Sequence, residues 1–304
     1  MVLLPALLFL CQSQIVLTTG IAMCHTDVDD GVLYYSMCGM PDIRRSDGTV
    51  IYTADAPIGQ WDIEHGLLAI ALDGTLTVGQ RRIAVGASAR DVAIRDGWVY
   101  WVEDDGLRRV PVEGGLIETV VDLPIDFHFH YAVFEDRVAF STPDGLYVKP
   151  LVGGAPALLL PRSGIDSIAD VAREGILINV SERDVNSGRA QLLRVPWIGA
   201  PVETVYEVTI ANGFRTSVTL TAAVAGRTIW ITQLVAIGCC SQQTSLIALR
   251  DGVALQRHRT AFGPLNLLHA EEDEVTASEW IGASGTRVVE TFCAAVARTR
   301  AVSR

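Results

Sequence analysis

An all-β repeat fold, a single β-propeller, is what this sequence predicts, and three observations predict it. One phrase recurs: Gly106-Leu-Arg-Arg-Val-Pro-Val-Glu-Gly-Gly115 returns as Gly145-Leu-Tyr-Val-Lys-Pro-Leu-Val-Gly-Gly154, and more loosely as Gln191-Leu-Leu-Arg-Val-Pro-Trp-Ile-Gly-Ala200. Its prolines lie 39 and 46 residues apart, and a period of about 40 with four short strands per unit marks a propeller. Strand–turn–strand signals recur along the chain, with Gly, Asp or Glu at the turn and β-branched or aromatic residues beyond it. Finally, no segment carries a 3.6-residue apolar stripe and no Pro/Ser-rich linker divides the chain.

The turns fall near Asp30-Gly31, His65-Gly66, Asp96-Gly97, Asp136-Arg137, Glu174-Gly175, Gly226-Arg227 and Asp273-Glu274, which makes seven units. After each comes a strand, such as Trp98–Val102 or Ile176–Val180. A third strand ends in the Pro-x-x-Gly-Gly phrase in the middle units. In others a short Asp-Gly hairpin takes that place, as at Ile43–Gly48 and Leu246–Gly252. Pro111 and Pro150 stand at strand ends, where a missing N–H costs least. Fourth strands are read at Leu116–Val121, Ala157–Leu160 and Val202–Tyr206. The last unit supplies three strands, and Gln14–Thr18 is the candidate fourth, closing the ring and removing two exposed edges. Seven four-stranded blades result; the overlap of the first unit with the leader keeps six as the alternative count.

Residues 1–11 read as a signal segment and 12–304 as the propeller domain. Met1–Leu10 is almost wholly apolar, shorter than the ~20 residues of a membrane-spanning helix but fitting a signal core. No positive residue precedes it, and Leu10 stands where a lipoprotein signal has Gly, Ala or Ser before its cysteine. The expected location is extracytoplasmic: periplasmic, outer-membrane-associated or secreted. No other segment is apolar enough for a transmembrane helix.

Apolar residues make up 49% of the 304, enough for a large core, and the net charge is −11, with Lys149 the single lysine. No basic run exists, which disfavours nucleic acid and anionic lipid as partners. The six cysteines are Cys11, Cys24, Cys38, Cys239, Cys240 and Cys293. An even count suits an oxidising compartment. Cys11 is a candidate lipid anchor or, alternatively, a disulfide partner of Cys293 across the closing strands. Cys24 and Cys38 flank one hairpin and form a second candidate pair. The adjacent Cys239 and Cys240 are candidates for a vicinal bridge, for pairing with Cys38, or for a soft metal; inert thiols are the plainer reading throughout.

The Gly-Leu-x-x-Val-Pro-x-x-Gly-Gly phrase, preceded by the aromatic strand Trp98-Val-Tyr-Trp101, resembles repeats of bacterial exported TolB-like and WD40-like β-propellers. The resemblance is strongest over residues 90–200. It implies a propeller with a binding or scaffolding role outside the cytoplasm, and it carries no catalytic motif onto this chain. No Trp-Asp dipeptide closes a blade; Trp61-Asp62 opens one instead.

Ligands of propellers usually bind where the innermost strands begin, around the central channel. There His128 and His130, alternating on one strand, would put two imidazoles on one side and are the weak candidates for a divalent metal. His25, Asp91 and Asp166 are the other ligand-binding candidates. The Cys24–Gly31 stretch lacks the full calcium-loop pattern and reads as a hairpin. The Ser181–Gly188 stretch, with Glu182 and Asp184, reads as a solvated loop. The pairs Arg44-Arg45, Arg81-Arg82 and Arg108-Arg109 read as outward-facing strand residues. No Gly-x-Ser-x-Gly elbow, phosphate loop or dinucleotide fingerprint occurs. The expected function is that of an exported non-catalytic propeller, a binding or scaffolding platform for a protein, peptide or glycan, with no cofactor. The alternative is a propeller enzyme, a lyase, hydrolase or quinone-dependent oxidoreductase, working at the channel mouth. It requires His25, Asp91, His128, His130 and Asp166 to converge.

Overall fold

The structure, a computed structural model, describes residues 14–18, 23–125, 129–183, 187–198, 200–211, 216–237, 241–260, 265–270, 274–281 and 286–293. They form twenty-eight strands. After β1 (Gln14–Thr18) come six sets of four. Blade 1 holds β2 (Met23–Asp29), β3 (Val32–Met37), β4 (Asp42–Arg45) and β5 (Val50–Thr53). Blade 2 holds β6 (Gln60–Glu64), β7 (Leu67–Leu72), β8 (Thr75–Val78) and β9 (Arg81–Ala84). Blade 3 holds β10 (Arg90–Arg95), β11 (Trp98–Glu103), β12 (Gly106–Pro111) and β13 (Glu118–Asp122). Blade 4 holds β14 (Tyr131–Phe134), β15 (Arg137–Thr142), β16 (Gly145–Pro150) and β17 (Ala157–Leu160). Blade 5 holds β18 (Ile165–Ala172), β19 (Gly175–Arg183), β20 (Ser187–Val195) and β21 (Glu203–Ala211). Blade 6 holds β22 (Thr216–Ala225), β23 (Thr228–Ile237), β24 (Ser241–Arg250) and β25 (Val253–Thr260). The seventh sheet is β26 (Leu265–Ala270), β27 (Glu274–Ile281) and β28 (Thr286–Cys293), with β1 added antiparallel to β28. Gln14 pairs with Glu290 and Thr18 with Thr286.

Six sheets are antiparallel meanders, and the seventh is the meander β26–β28 with β1 paired to its edge. Inner strands neighbour one another in turn: β2 beside β6, β6 beside β10, β14 beside β18, β18 beside β22, β22 beside β26, and β26 back beside β2. Between β10 and β14 the Tyr131 hydroxyl donates to the Asp91 carbonyl oxygen at 2.6 Å. The arrangement is a β-propeller.

Its core lies between blades, which explains why the second strands are apolar on both sides. In β11, Val99 and Trp101 pack toward Ala69, Leu76 and Val78 of blade 2. The alternate residues Tyr100 and Val102 pack toward Val138 and Phe140 of blade 4. Each such buried side chain contributes about 1.5–3 kcal/mol.

The recurring phrase has a backbone cause. Gly106 and Gly145 open their strands at φ +155° and +154°. A Cβ there would collide with the carbonyl oxygen of Val121 or Leu160 on the neighbouring fourth strand. The phrase's closing glycine packs on its proline, since a Cβ on Gly154 would lie 3.2 Å from the Pro150 ring.

The fourth strands begin and end differently from expectation: β13 starts at Glu118 rather than Leu116, and β21 runs on to Ala211. The expected Ser181–Gly188 loop is largely hairpin, because Ser181–Arg183 extend β19 and pair with Gly188–Ala190 of β20. Its Asp184 lies outside the described residues.

Candidate functional site

The inner strands line an open cavity of about 390 Å³. His25 of β2, Gln60 of β6, Asp91 and Arg95 of β10, Tyr131 of β14 and Asp170 of β18 reach it. Five blades therefore contribute, and the register is interrupted in three of their inner strands, β2, β10 and β18. β10 is irregular between Arg90 and Ala93, and β18 between Ile165 and Ser167 and again between Ile168 and Asp170. Such bulges re-aim side chains. Asp91 sits in the first of them at φ 51°, a left-handed conformation that Asp tolerates better than most residues.

Along the inner strands, carboxylates of one blade accept backbone N–H groups of the next. Asp29 takes His65 N–H at 2.7 Å and Gly66 N–H at 2.6 Å. Asp62 takes Ile94 N–H at 2.6 Å. Asp170 takes Val224 N–H at 2.5 Å and its neighbour Val171 N–H at 2.7 Å. Charge-assisted bonds of this kind are about twice as strong as neutral ones. Burial raises the Asp170 pKa against the pull of those two amides. Arg95 projects into the space, half-exposed, with Nη1 3.4 Å from Asp62 Oδ2. Burial also raises the Glu64 pKa, opposed by Arg95. The His25 ring meets Trp61 edge-on, centroids 4.6 Å apart.

Of the residues singled out from sequence, His25 and Asp91 come together at the cavity. Asp166 is exposed near the start of β18, and His130 precedes β14 with its backbone N–H donated to Ser141 Oγ at 3.2 Å; neither is among the cavity-lining residues. His128 lies outside the described residues. Among the described residues, Asp29, Asp30 and His65 are the group whose ligand atoms approach within 4.8 Å. Asp29 already serves there as the clasp on the blade 2 turn. Gln60, Asp62, Arg95, Tyr131 and Asp170 escaped the sequence reading. The available signal was position: Asp27 and Asp62 both stand three residues before the left-handed turn residues Asp30 and His65.

Cys24 and Cys38 are joined in a disulfide across β2 and the end of β3. Cys11, Cys239 and Cys240 lie outside the described residues; Cys293 ends β28, opposite Glu274. The arginine pairs are not uniformly outward. Arg109 is 5% exposed, lies 4.0 Å over the Trp98 ring and pairs with Glu118 at 2.6 Å.

No protein-family model matches the chain, and no curated protein sequence matches it. Solved structures do. Hsv2 of Kluyveromyces lactis superposes with a TM-score of 0.56 at 13% identity, over 85% of this chain and 89% of that one. The S. cerevisiae structure of Dbp5 bound to Nup159 and Gle1 gives 0.57 at 8%, over 90% of each chain. The extracellular domain of the one-component system BT4673 from B. thetaiotaomicron gives 0.56 at 12%, over 89% of this chain and 38% of that one. At such identities the likeness shows the fold, a WD40-like β-propeller, here of seven sheets. The TolB-like part of the resemblance rests on the recurring phrase alone. Among the described residues no helix is long and apolar enough to cross a membrane.

Proposed function

We propose that this chain is an exported, non-catalytic propeller that presents the channel-mouth face of its ring to a protein, peptide or glycan. The observation that carries the reading is the set of inter-blade clasps. Asp29, Asp62 and Asp170 each bind the backbone of the next blade, holding the inner strands in fixed relation to one another. A surface held this way binds without first being ordered, which lowers the cost of association. Among the compared structures, Nup159 is a propeller with a protein bound to it. The Cys24–Cys38 bridge supports export, since disulfides persist mainly in oxidising compartments.

The test is photo-crosslinking in the native cell. A crosslinking side chain at Asp91 or Asp166 lies on the face where inner strands begin; one at Gly153 lies at the opposite face. One defined adduct from positions 91 and 166, absent from 153, supports the platform. Adducts without face preference, or none, reject it. Reduced Cys24 and Cys38 in cells would reject export.

A further inference from the structure

The four most exposed large apolar side chains among the described residues stand on one face of the ring. Leu116 is 87% exposed, Val152 83%, Ile198 83% and Val253 62%. They belong to blades 3, 4, 5 and 6, and each follows the third strand of its blade. The backbone fixes which face this is. Val112 N–H donates to the Gly97 carbonyl oxygen at 3.0 Å, and Leu151 N–H to that of Asp136 at 2.8 Å. The Trp197 indole N–H donates to the Ala172 carbonyl oxygen at 2.8 Å. Arg250 pairs with both Thr228 and Val253. Each apolar tip therefore stands beside the turn between first and second strands, on the face opposite the channel mouth. The chain enters β1 from this face too. Cys293 ends β28 opposite Glu274, the start of β27, and Gln14 pairs with Glu290 just short of that end. Ahead of β1 in sequence stands Met1–Leu10, almost wholly apolar. Exposed apolar surface gathered in this way marks a contact with protein or membrane.

We propose that this face rests on a lipid surface of no net charge, with Leu116, Val152, Ile198 and Val253 entering its acyl boundary. Charge chooses among the occupants. The turns between first and second strands carry exposed Asp30, Asp96, Glu135, Asp136 and Glu174 against Arg173 and Arg227, and Arg227 is paired with Asp251. A second copy of the chain would set acidic turns against acidic turns, and like charges so placed oppose association. Anionic lipid is repelled for the same reason. The tips rise from separate blades on glycine-bearing turns. A fluid apolar phase takes up separate tips without shape complementarity, whereas a folded partner has to match each one. Immersion supplies the attraction, about fourfold in partitioning for each methylene buried. The channel mouth then faces away from the lipid, and the inference does not depend on what that mouth binds.

Flotation of the full chain with phosphatidylcholine vesicles tests this. The chain should float, and replacing part of the phosphatidylcholine by phosphatidylglycerol should weaken its binding. Leu116→Ser combined with Ile198→Ser alters two exposed tips and should leave the melting temperature unchanged, yet weaken partitioning by about tenfold or more. A second measurement reads orientation in the otherwise natural chain. The tryptophan of Val152→Trp should be quenched by brominated phosphatidylcholine. That of Leu123→Trp should not, because Leu123 follows β13 on the channel-mouth face. Absence of flotation, equal flotation of the double variant, tighter binding to phosphatidylglycerol, or equal quenching at 123 and 152 overturns the proposal.

Discussion

The indole N–H of Trp61 donates to Ser36 Oγ at 2.9 Å, tying the inner strand of blade 2 to the second strand of blade 1. Trp61 is 1% exposed and Ser36 fully buried, so water cannot replace either partner. Ser36→Ala should cost about 1–3 kcal/mol by orphaning the indole N–H. The cost should appear as a lower urea midpoint with unchanged slope. In the Trp61→Phe background the same substitution should cost much less, because the orphan is gone.

The Asp29 clasp holds two amides of a turn that is itself exposed, so water can partly replace it. Asp29→Ala should lower stability by about 1.5–3 kcal/mol, the range for bonds to a charged group. Its neighbour Asp30 is exposed and adopts φ 47°. Asp30→Gly should be neutral or slightly stabilising, since glycine adopts that conformation freely. Equal losses at 29 and 30 would show that the turn's shape matters rather than the clasp.

Two glycines separate conformation from collision. Gly31 has φ +74° and open space where a Cβ would go, so Gly31→Ala should cost about 1–2 kcal/mol. Gly145→Ala adds the clash with the Leu160 carbonyl and should cost about 2–4 kcal/mol. The comparison is made by thermal or urea unfolding of the two variants.

Cys24 and Cys38 are 14 residues apart. Opening a loop of that length should cost about 3 kcal/mol. Paired Cys24→Ser and Cys38→Ser substitutions should show it, and peptide mass mapping under non-reducing conditions checks the pairing.

The titrating carboxyls pull stability in two directions. Hydrogen bonds from Arg44 hold the Asp42 carboxyl below its ordinary value, and Arg189 does the same for Glu207. Their folded pKa values are depressed, so their contribution is present above about 4 and lost as pH falls below it. Asp62 and Asp170, both raised by burial, lose theirs as pH rises from about 4. Stability should therefore peak between about pH 4 and 5 in a series of urea midpoints. A maximum at pH 8 would contradict the directions given.

What was legible in the sequence was local. Asp30-Gly31 and Asp96-Gly97 announce two-residue turns because both members take positive φ. The repeated phrase announces the blades because Gly106 and Gly145 have no room for a Cβ. The cavity was hidden for the opposite reason. Asp62 contacts Ile94 and Arg95, and Asp170 contacts Val224 more than fifty positions away. Period-two counting along one strand cannot carry through the bulges at Arg90–Ala93 and Ile168–Asp170. Arg109 misled for a related reason. A charged strand residue reads as solvent-facing until Trp98 beneath it and Glu118 beside it are in place.

The pairing of β1 with β28 also sets a schedule. Synthesis delivers Gln14–Thr18 first and Thr286–Cys293 last, and every intervening sheet can form before those two strands meet. Until then β1 lacks its hydrogen-bonding partner and the seventh sheet has three strands instead of four. Unpaired edges of this kind recruit other chains. A nascent copy is therefore open to cross-pairing with a neighbour until Thr286–Cys293 is delivered, and slow delivery of that blade lengthens the exposure.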